Sequence, residues 1–321
     1  MHRSGVPLTR RTVLRAGAAL GAAGLLGGCT GPQPPSPLVI AGGVQPGVYI
    51  NLARALSAIW RERLGLPAAP EVLGTAGSAQ NMELLTSGRA TVTISQVDVA
   101  ADVAARTTGP AEPRALARLY DDVTHVVARA DSGLRGLDDL RGRRVSIGPG
   151  GSGYQPIAIR LLDVAGIGVA GLGTRAELGL TDAVAALREG RIDAFFWSGG
   201  VPTDGIRELA AQVPIRLLEL GTALDRMRDR FPVYSVATVP ANTYGLPGPV
   251  SCLSVRNALL VTAGMDADLA RALIRAAFDE QPRLAQASPA AVTIDSRSAI
   301  GTQPIPLHEG AVAFYRATKG Y

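Results

Sequence analysis

Gly148-Pro149-Gly150-Gly151-Ser152-Gly153-Tyr154 is the segment of this chain best suited to hold a ligand by its backbone. Glycine lets the main chain approach a bound group closely, and successive N–H groups opening a helix attract anions. The segment lacks the Gly-Lys-Ser/Thr of a phosphate loop, and its glycines miss the dinucleotide spacing. Tyr154 stands where a nucleophile elbow needs glycine. Two readings remain: a tight strand-to-helix turn, or capture of a carboxylate by Ser152 and nearby amides. Gly42-Gly43-Val44-Gln45-Pro46-Gly47-Val48-Tyr49 and Gly74-Thr75-Ala76-Gly77-Ser78 share its character, although Ser78 serves equally well as a helix N-cap. Ligands of open α/β sheets bind at the carboxyl ends of strands. Three polar glycine loops at such ends exceed what one turn-forming accident would leave.

No catalytic constellation accompanies them. Asp121-Asp122, Asp138-Asp139, Asp182 and Asp193 stand singly or in adjacent pairs beside turns, the pattern of solvated faces and helix caps. The three histidines, His2, His125 and His308, share no metal-ligand spacing with one another or with Cys252. No cofactor is implied. Cys252 lies in the apolar run Val250 to Val255 and reads as a buried, inert thiol.

The elements that must position these loops alternate along the chain. Leu38 to Ala41 reads as a buried strand, and Tyr49 to Arg63 as a helix with Leu52, Leu56, Ile59 and Trp60 on one face. Val72-Leu73, then Ala79 to Ser87, repeats the unit, as do Thr91 to Ser95 and Asp98 to Ala105. Thr124 to Ala128, Arg144 to Ile147, Tyr154 to Ala165, Thr181 to Arg188, Ala194 to Trp197 and Ile215 to Glu219 continue it. A long apolar strand from Val250 to Ala263 and a helix from Ala267 to Phe278 follow. The pattern predicts an α/β fold with a parallel or mixed sheet covered on both faces.

The N-terminus predicts export. Arg10-Arg11 precedes an apolar run from Ala16 to Gly28, shorter than the ~20 residues that cross a bilayer. Cys29 follows Leu26-Gly27-Gly28, as in a bacterial lipobox, and would become the lipidated N-terminus. Residues 1–29 thus read as a twin-arginine lipoprotein signal, and the proline-rich residues 30–37 as an extended tether. The formal charge is +5, but Arg3, Arg10, Arg11 and Arg15 lie upstream of Cys29 and no acidic residue does. The processed chain is close to neutral and carries no basic stripe, which excludes nucleic acid as a partner.

In order, the loops resemble the TRAP-associated extracytoplasmic immunogenic (TAXI) family of solute receptors. The resemblance runs from Leu38 nearly to the C-terminus. It includes Gly42 to Leu56, Gly77-Ser78-Ala79-Gln80-Asn81, Leu84 to Ala90, Gln96 with Asp98, and Gly148 to Gly153. It continues through Gly190 to Trp197 with Gly199 and Pro202, and Ile305 to Ala311.

That resemblance implies a type II periplasmic-binding-protein fold, two α/β lobes around a ligand cleft. Residues 38–128 with 250–321 would form a discontinuous first lobe, and residues 129–249 the second. It places Gly43, Val44, Tyr49, Ser78, Asn81, Gln96, Ser152, Gly153, Tyr154, Trp197 and Gly199 in the cleft. Arg129, Asp193 and His308 match family positions as structural residues. Tyr154 departs from the family's threonine, either narrowing the cleft or adding a stacking face. The implied function is non-enzymatic. A monomer, lipid-anchored on the outer face of the cytoplasmic membrane, captures a small carboxylate (glutamate-like amino acid, dicarboxylate or 2-oxoacid). It hands this solute to TRAP-type membrane subunits. The alternatives are a sensor of the same fold signalling to a membrane histidine kinase, and an enzyme built on it, which the poverty of acid/base pairs disfavours.

Overall fold

Two long strands organise the computed structural model, which describes residues 37–45 and 47–318. The export signal, Cys29 and most of the tether lie outside the described residues. Strand β4 runs over Pro113–Arg129 and β10 over Val250–Thr262, the two pairing antiparallel from Leu253↔Thr124 to Thr262↔Pro113. Both are rich in apolar residues and buried on both faces along most of their length, as strands central to a covered sheet must be.

Each long strand serves two neighbourhoods. On one side, β10 pairs through Asn257–Leu260 with β3 (Val92–Gln96), which leads through β1 (Val39–Ala41) to β2 (Glu71–Leu73), these three being parallel. On the other, Val123–Ala128 of β4 pair with β7 (Ala194–Gly199), which leads through β5 (Arg144–Ser146) to β6 (Thr174–Ala176), again parallel. Strand β8 (Ile215–Leu217) adds to the far end of β4, and β9 (Tyr234–Val239) to Val250–Val255 of β10. The register of β10 on β4 shifts between Asn257 and Ala258 and again between Leu259 and Leu260. Irregularities of this kind re-aim side chains and recur beside functional sites.

Helices cover the sheet as the alternation predicts. Helix α1 (Val48–Arg63) buries Leu52, Leu56, Ile59 and Trp60, and the Trp60 indole donates to the Leu273 carbonyl at 3.0 Å. Helices α2 (Ser78–Thr86) and α3 (Val97–Ala104) follow β2 and β3. Helix α4 (Tyr154–Val164) follows β5 and α5 (Leu180–Arg188) follows β6. Apolar clusters fill the first half around Trp60, Ile94 and Leu259, and the second around Phe195, Leu209 and Leu217. A third is continuous across the join, from Met82 and Val97 to Ile157, Leu161 and Phe196.

Several elements exceed the sequence expectation. Helices at Asp204–Gln212, Thr222–Arg230 and Glu309–Thr318 were not foreseen, and β4 begins eleven residues before Thr124. Thr222–Arg230 buries only Ala223 and Met227, so its apolar stripe is too thin to register as a period.

Candidate functional site

The glycine loop before α4 lies directly on the N-terminus of α2. The Gly151 carbonyl accepts hydrogen bonds from the Ala79 and Gln80 amides at 3.1 and 3.2 Å, so two otherwise orphaned donors at the end of α2 are met from the other half of the molecule. Gly153 faces the same junction. A Cβ there would sit 2.2 Å from Gln96 Oε1 and 2.7 Å from Ser78 Oγ, so any side chain must displace them.

Beneath this contact lies a buried polar cluster. Ser78 Oγ accepts from the Gln96 amide at 3.1 Å and shares a 3.1 Å hydrogen bond with the Tyr49 hydroxyl, which also donates to Asn257 Oδ1. The Gln96 side-chain amide donates to Asp122 Oδ2 and to Ser198 Oγ, both at 3.0 Å. Ser78, Gln96, Asp122, Thr124, Ser198 and Asn257 are all buried. They come from α2, β3, β4, β7 and β10, and they gather where β4 and β10 pass from one half to the other. Among the described residues, Gln96 Oε1 and Thr124 Oγ1 have no hydrogen-bond partner. Uncommitted buried polar atoms are costly, and each calls for a physical reason.

Of the residues singled out in the sequence, the structure brings together Tyr49, Ser78, Gln96, Ser152 and Gly153. Asn81 stands just behind them, fully buried. Its amide donates to the Gly42 and Ile94 carbonyls at 2.6 and 2.8 Å, while its Oδ1 accepts from Thr75 Oγ1 at 2.5 Å, tying two glycine loops to β3. The Ser152 hydroxyl donates to the Pro149 carbonyl at 2.8 Å and accepts from the Gln155 amide at 3.3 Å, which shapes the loop and the start of α4. Tyr154 packs edge-on against Trp197 with ring centroids 5.0 Å apart. Its ring also covers Gly148, whose φ of +92° and lack of space for a Cβ both require glycine. The Trp197 indole donates to Thr203 Oγ1 at 3.1 Å and lies over Gly199. Gly43 and Val44 stand apart, lining an open surface cavity of about 570 Å³ with Gln45, Arg54, Gly74 and Gln80. That cavity is broad and shallow, and the buried cluster, with its convergent unpaired atoms, is the better candidate site.

Arg129 pairs with Asp131, and Asp193 with Arg144. His308 accepts from the Gly310 amide at 3.2 Å and hydrogen-bonds the Met265 carbonyl at 3.1 Å. All three hold local structure.

Four residues of the cluster escape sequence motifs: Asp122, Thr124, Ser198 and Asn257. The expected solvated face or cap fits Asp139, which caps the Arg135 and Gly136 amides, and fails for Asp122. Burial pushes the Asp122 carboxyl up to about 6, against the pull of Gln96 and Asn257. A detectable signal existed: a carboxylate and an amide each stand inside a long apolar strand.

His125, three residues along β4 from Asp122, is fully buried with both ring nitrogens engaged, to the Val123 carbonyl at 2.8 Å and the Tyr244 hydroxyl at 3.2 Å. The Tyr244 oxygen already accepts from the Thr203 amide, so it donates to Nε2, and Nδ1 carries the ring proton. Burial depresses this imidazole to about 4. Neither His125 nor His308, the histidines among the described residues, is free to act as a base, and burial pushes the Cys252 thiol up to about 12.

Asp122 and His125 oppose each other in acid. Unfolded His125 takes its proton near 6.5 and folded His125 near 4, so its contribution to stability is lost as the pH falls through that window. Asp122 holds its proton up to about 6 when folded and to 3.8 when unfolded, so acid stabilises through it. His125→Gln should therefore gain stability relative to wild type on acidification, by ~1.4 kcal/mol per pH unit. Urea unfolding at a series of pH values between the two limits checks this, and a pH-independent difference contradicts it.

Two α/β halves joined through β4 and β10 give the architecture of the type II periplasmic-binding-protein fold class. Within that class the chain belongs to the NMT1-like family, whose model matches residues 40–318. Among solved structures it is similar to XAC2383 from Xanthomonas citri bound to ATP, at 16% identity and a TM-score of 0.53, with 88% of this chain and 99% of that chain covered. The same protein bound to chloride ion gives the same values. The periplasmic aliphatic sulphonate binding protein SsuA from Escherichia coli matches at 15% identity and a TM-score of 0.47, covering 88% of this chain and 83% of that one.

Proposed function

We infer that this protein is a lipid-anchored, extracytoplasmic solute-binding protein that captures a small carboxylate by closure of its lobes and delivers it to a TRAP-type transporter. One observation carries the reading: loops at the carboxyl ends of strands from both halves converge on a buried polar cluster with uncommitted hydrogen-bonding atoms. Such a site is filled and sealed by a small solute when two lobes close, and the closed form is what a membrane partner recognises. The TAXI-like motifs support TRAP-type subunits as that partner, and the Arg10-Arg11 and Cys29 pattern supports the anchored location. The committed histidines and the high thiol favour binding over catalysis.

Thermal unfolding with amino acids, dicarboxylates, 2-oxoacids and sugars tests the reading. A solute at 100 times its Kd adds about 2.7 kcal/mol, a rise of several degrees for a chain of this size. A rise with one acidic class supports it, and a rise with sugars alone overturns the carboxylate. Ser152→Ala should weaken binding of that acid about tenfold, because the loop loses the hydroxyl that shapes it. Unchanged affinity by calorimetry removes Ser152 from the site.

A further inference from the structure

Among the described residues two carboxylates are buried in the interior, and they are treated differently. Asp98 has a cation: Arg160 Nη1 lies 3.0 Å from its Oδ2, and the Tyr234 hydroxyl donates to the same oxygen at 2.7 Å. Asp122 has none. It stands in no ion pair among the described residues, and the charges that bear on it most are two acids, Asp121 and Asp98. A buried carboxylate without a cation is costly to ionise, and it keeps its proton until a counter-charge arrives. The surrounding atoms indicate what that is. Gln96 donates to Asp122 through Nε2, leaving Oε1 as an unsatisfied acceptor, and Thr124, two residues along the same strand, offers a second uncommitted oxygen. Asn257 lies beside the carboxylate and favours its charged form.

A protonated amine has three donors and no acceptor. Asp122, Gln96 Oε1 and Thr124 Oγ1 supply three acceptors in one buried cluster. We propose that Asp122 is the counter-ion for a protonated nitrogen of the bound solute, so that the site takes amino acids and rejects the dicarboxylates and 2-oxoacids that match them in carboxylates alone. This rests on the reading of the cleft as a carboxylate site, and narrows it. The glycine loop and the α2 terminus face the acid, and the strand crossing faces the amine.

The test is calorimetric titration of purified wild type and Asp122→Asn with the twenty L-amino acids and with deaminated counterparts, glutarate and 2-oxoglutarate standing beside L-glutamate. The expected wild type binds an amino acid at least 100-fold more tightly than its deaminated counterpart. Asp122→Asn should lose at least 100-fold for that amino acid, closing the gap between the two. Asparagine keeps an acceptor for Gln96 and removes the unpaired charge, so the solute-free variant should melt no lower than wild type, which separates lost binding from lost folding. Should the variant fail to fold, the wild-type comparison of amino acid with deaminated acid decides alone. Equal affinity for the deaminated acid, or unchanged affinity in Asp122→Asn, overturns the assignment while leaving the carboxylate reading standing. Binding of no acid of any kind overturns both.

Discussion

Gly153→Val should abolish solute binding while leaving a folded protein. The valine side chain would enter space held by Gln96 Oε1 and Ser78 Oγ. Gln96 is a flexible side chain, but it is fixed by bonds to Asp122 and Ser198, and withdrawing it breaks both. The alternative is for the loop to lift, which separates the Gly151 carbonyl from Ala79 and Gln80. Either way the cleft is no longer assembled as binding requires. The expected result is a loss of at least 100-fold in affinity, about 2.7 kcal/mol or more, with an unchanged circular dichroism spectrum. Gly153→Ala should lose less, because one methyl group allows partial adjustment. Titration of both variants with the acid that stabilises the wild type checks the order. Equal effects of alanine and valine would contradict the steric account.

Arg160→Ala should destabilise the protein more than any surface substitution. Arg160 on α4 reaches Asp98 and Asp102 on α3 and donates to the Tyr234 hydroxyl at 2.6 Å, with its guanidinium 4.9 Å from the centre of the Phe231 ring. Asp98 is fully buried, and burial raises its carboxyl despite Tyr234 and Arg160. Removing the arginine strands that carboxylate, a change that costs 3–5 kcal/mol as an order of magnitude. Asp102 is half exposed and adds little. Denaturant midpoints measure the loss. Adding Asp98→Asn to Arg160→Ala should recover much of it, since the penalty lies in the orphaned charge. A single variant within 1 kcal/mol of wild type would refute the argument.

The two predictions differ in how far sequence reaches them. Gly153 belongs to a loop visible as a motif, and the helices that present it show clear apolar faces, as with Leu52, Leu56, Ile59 and Trp60. Local chemistry dictates such elements, so they are legible locally. Asp122 and Asn257 become site residues only because β4 and β10 cross between halves at that point, with a register shift beside Asn257. Strand pairing over more than a hundred residues of separation leaves no local trace. Asp98 and Arg160 meet in the same non-local way, across α3 and α4. The glycine loops are legible as motifs, while the burial of Asp122 beside Gln96 is set by packing.

The Gly151 carbonyl makes the chain its own competitor. Any solute oxygen that seeks the Ala79 and Gln80 amides meets an acceptor already tethered beside them, always present and never diluted. An outside oxygen gains nothing there unless it satisfies both amides as well as that carbonyl already does.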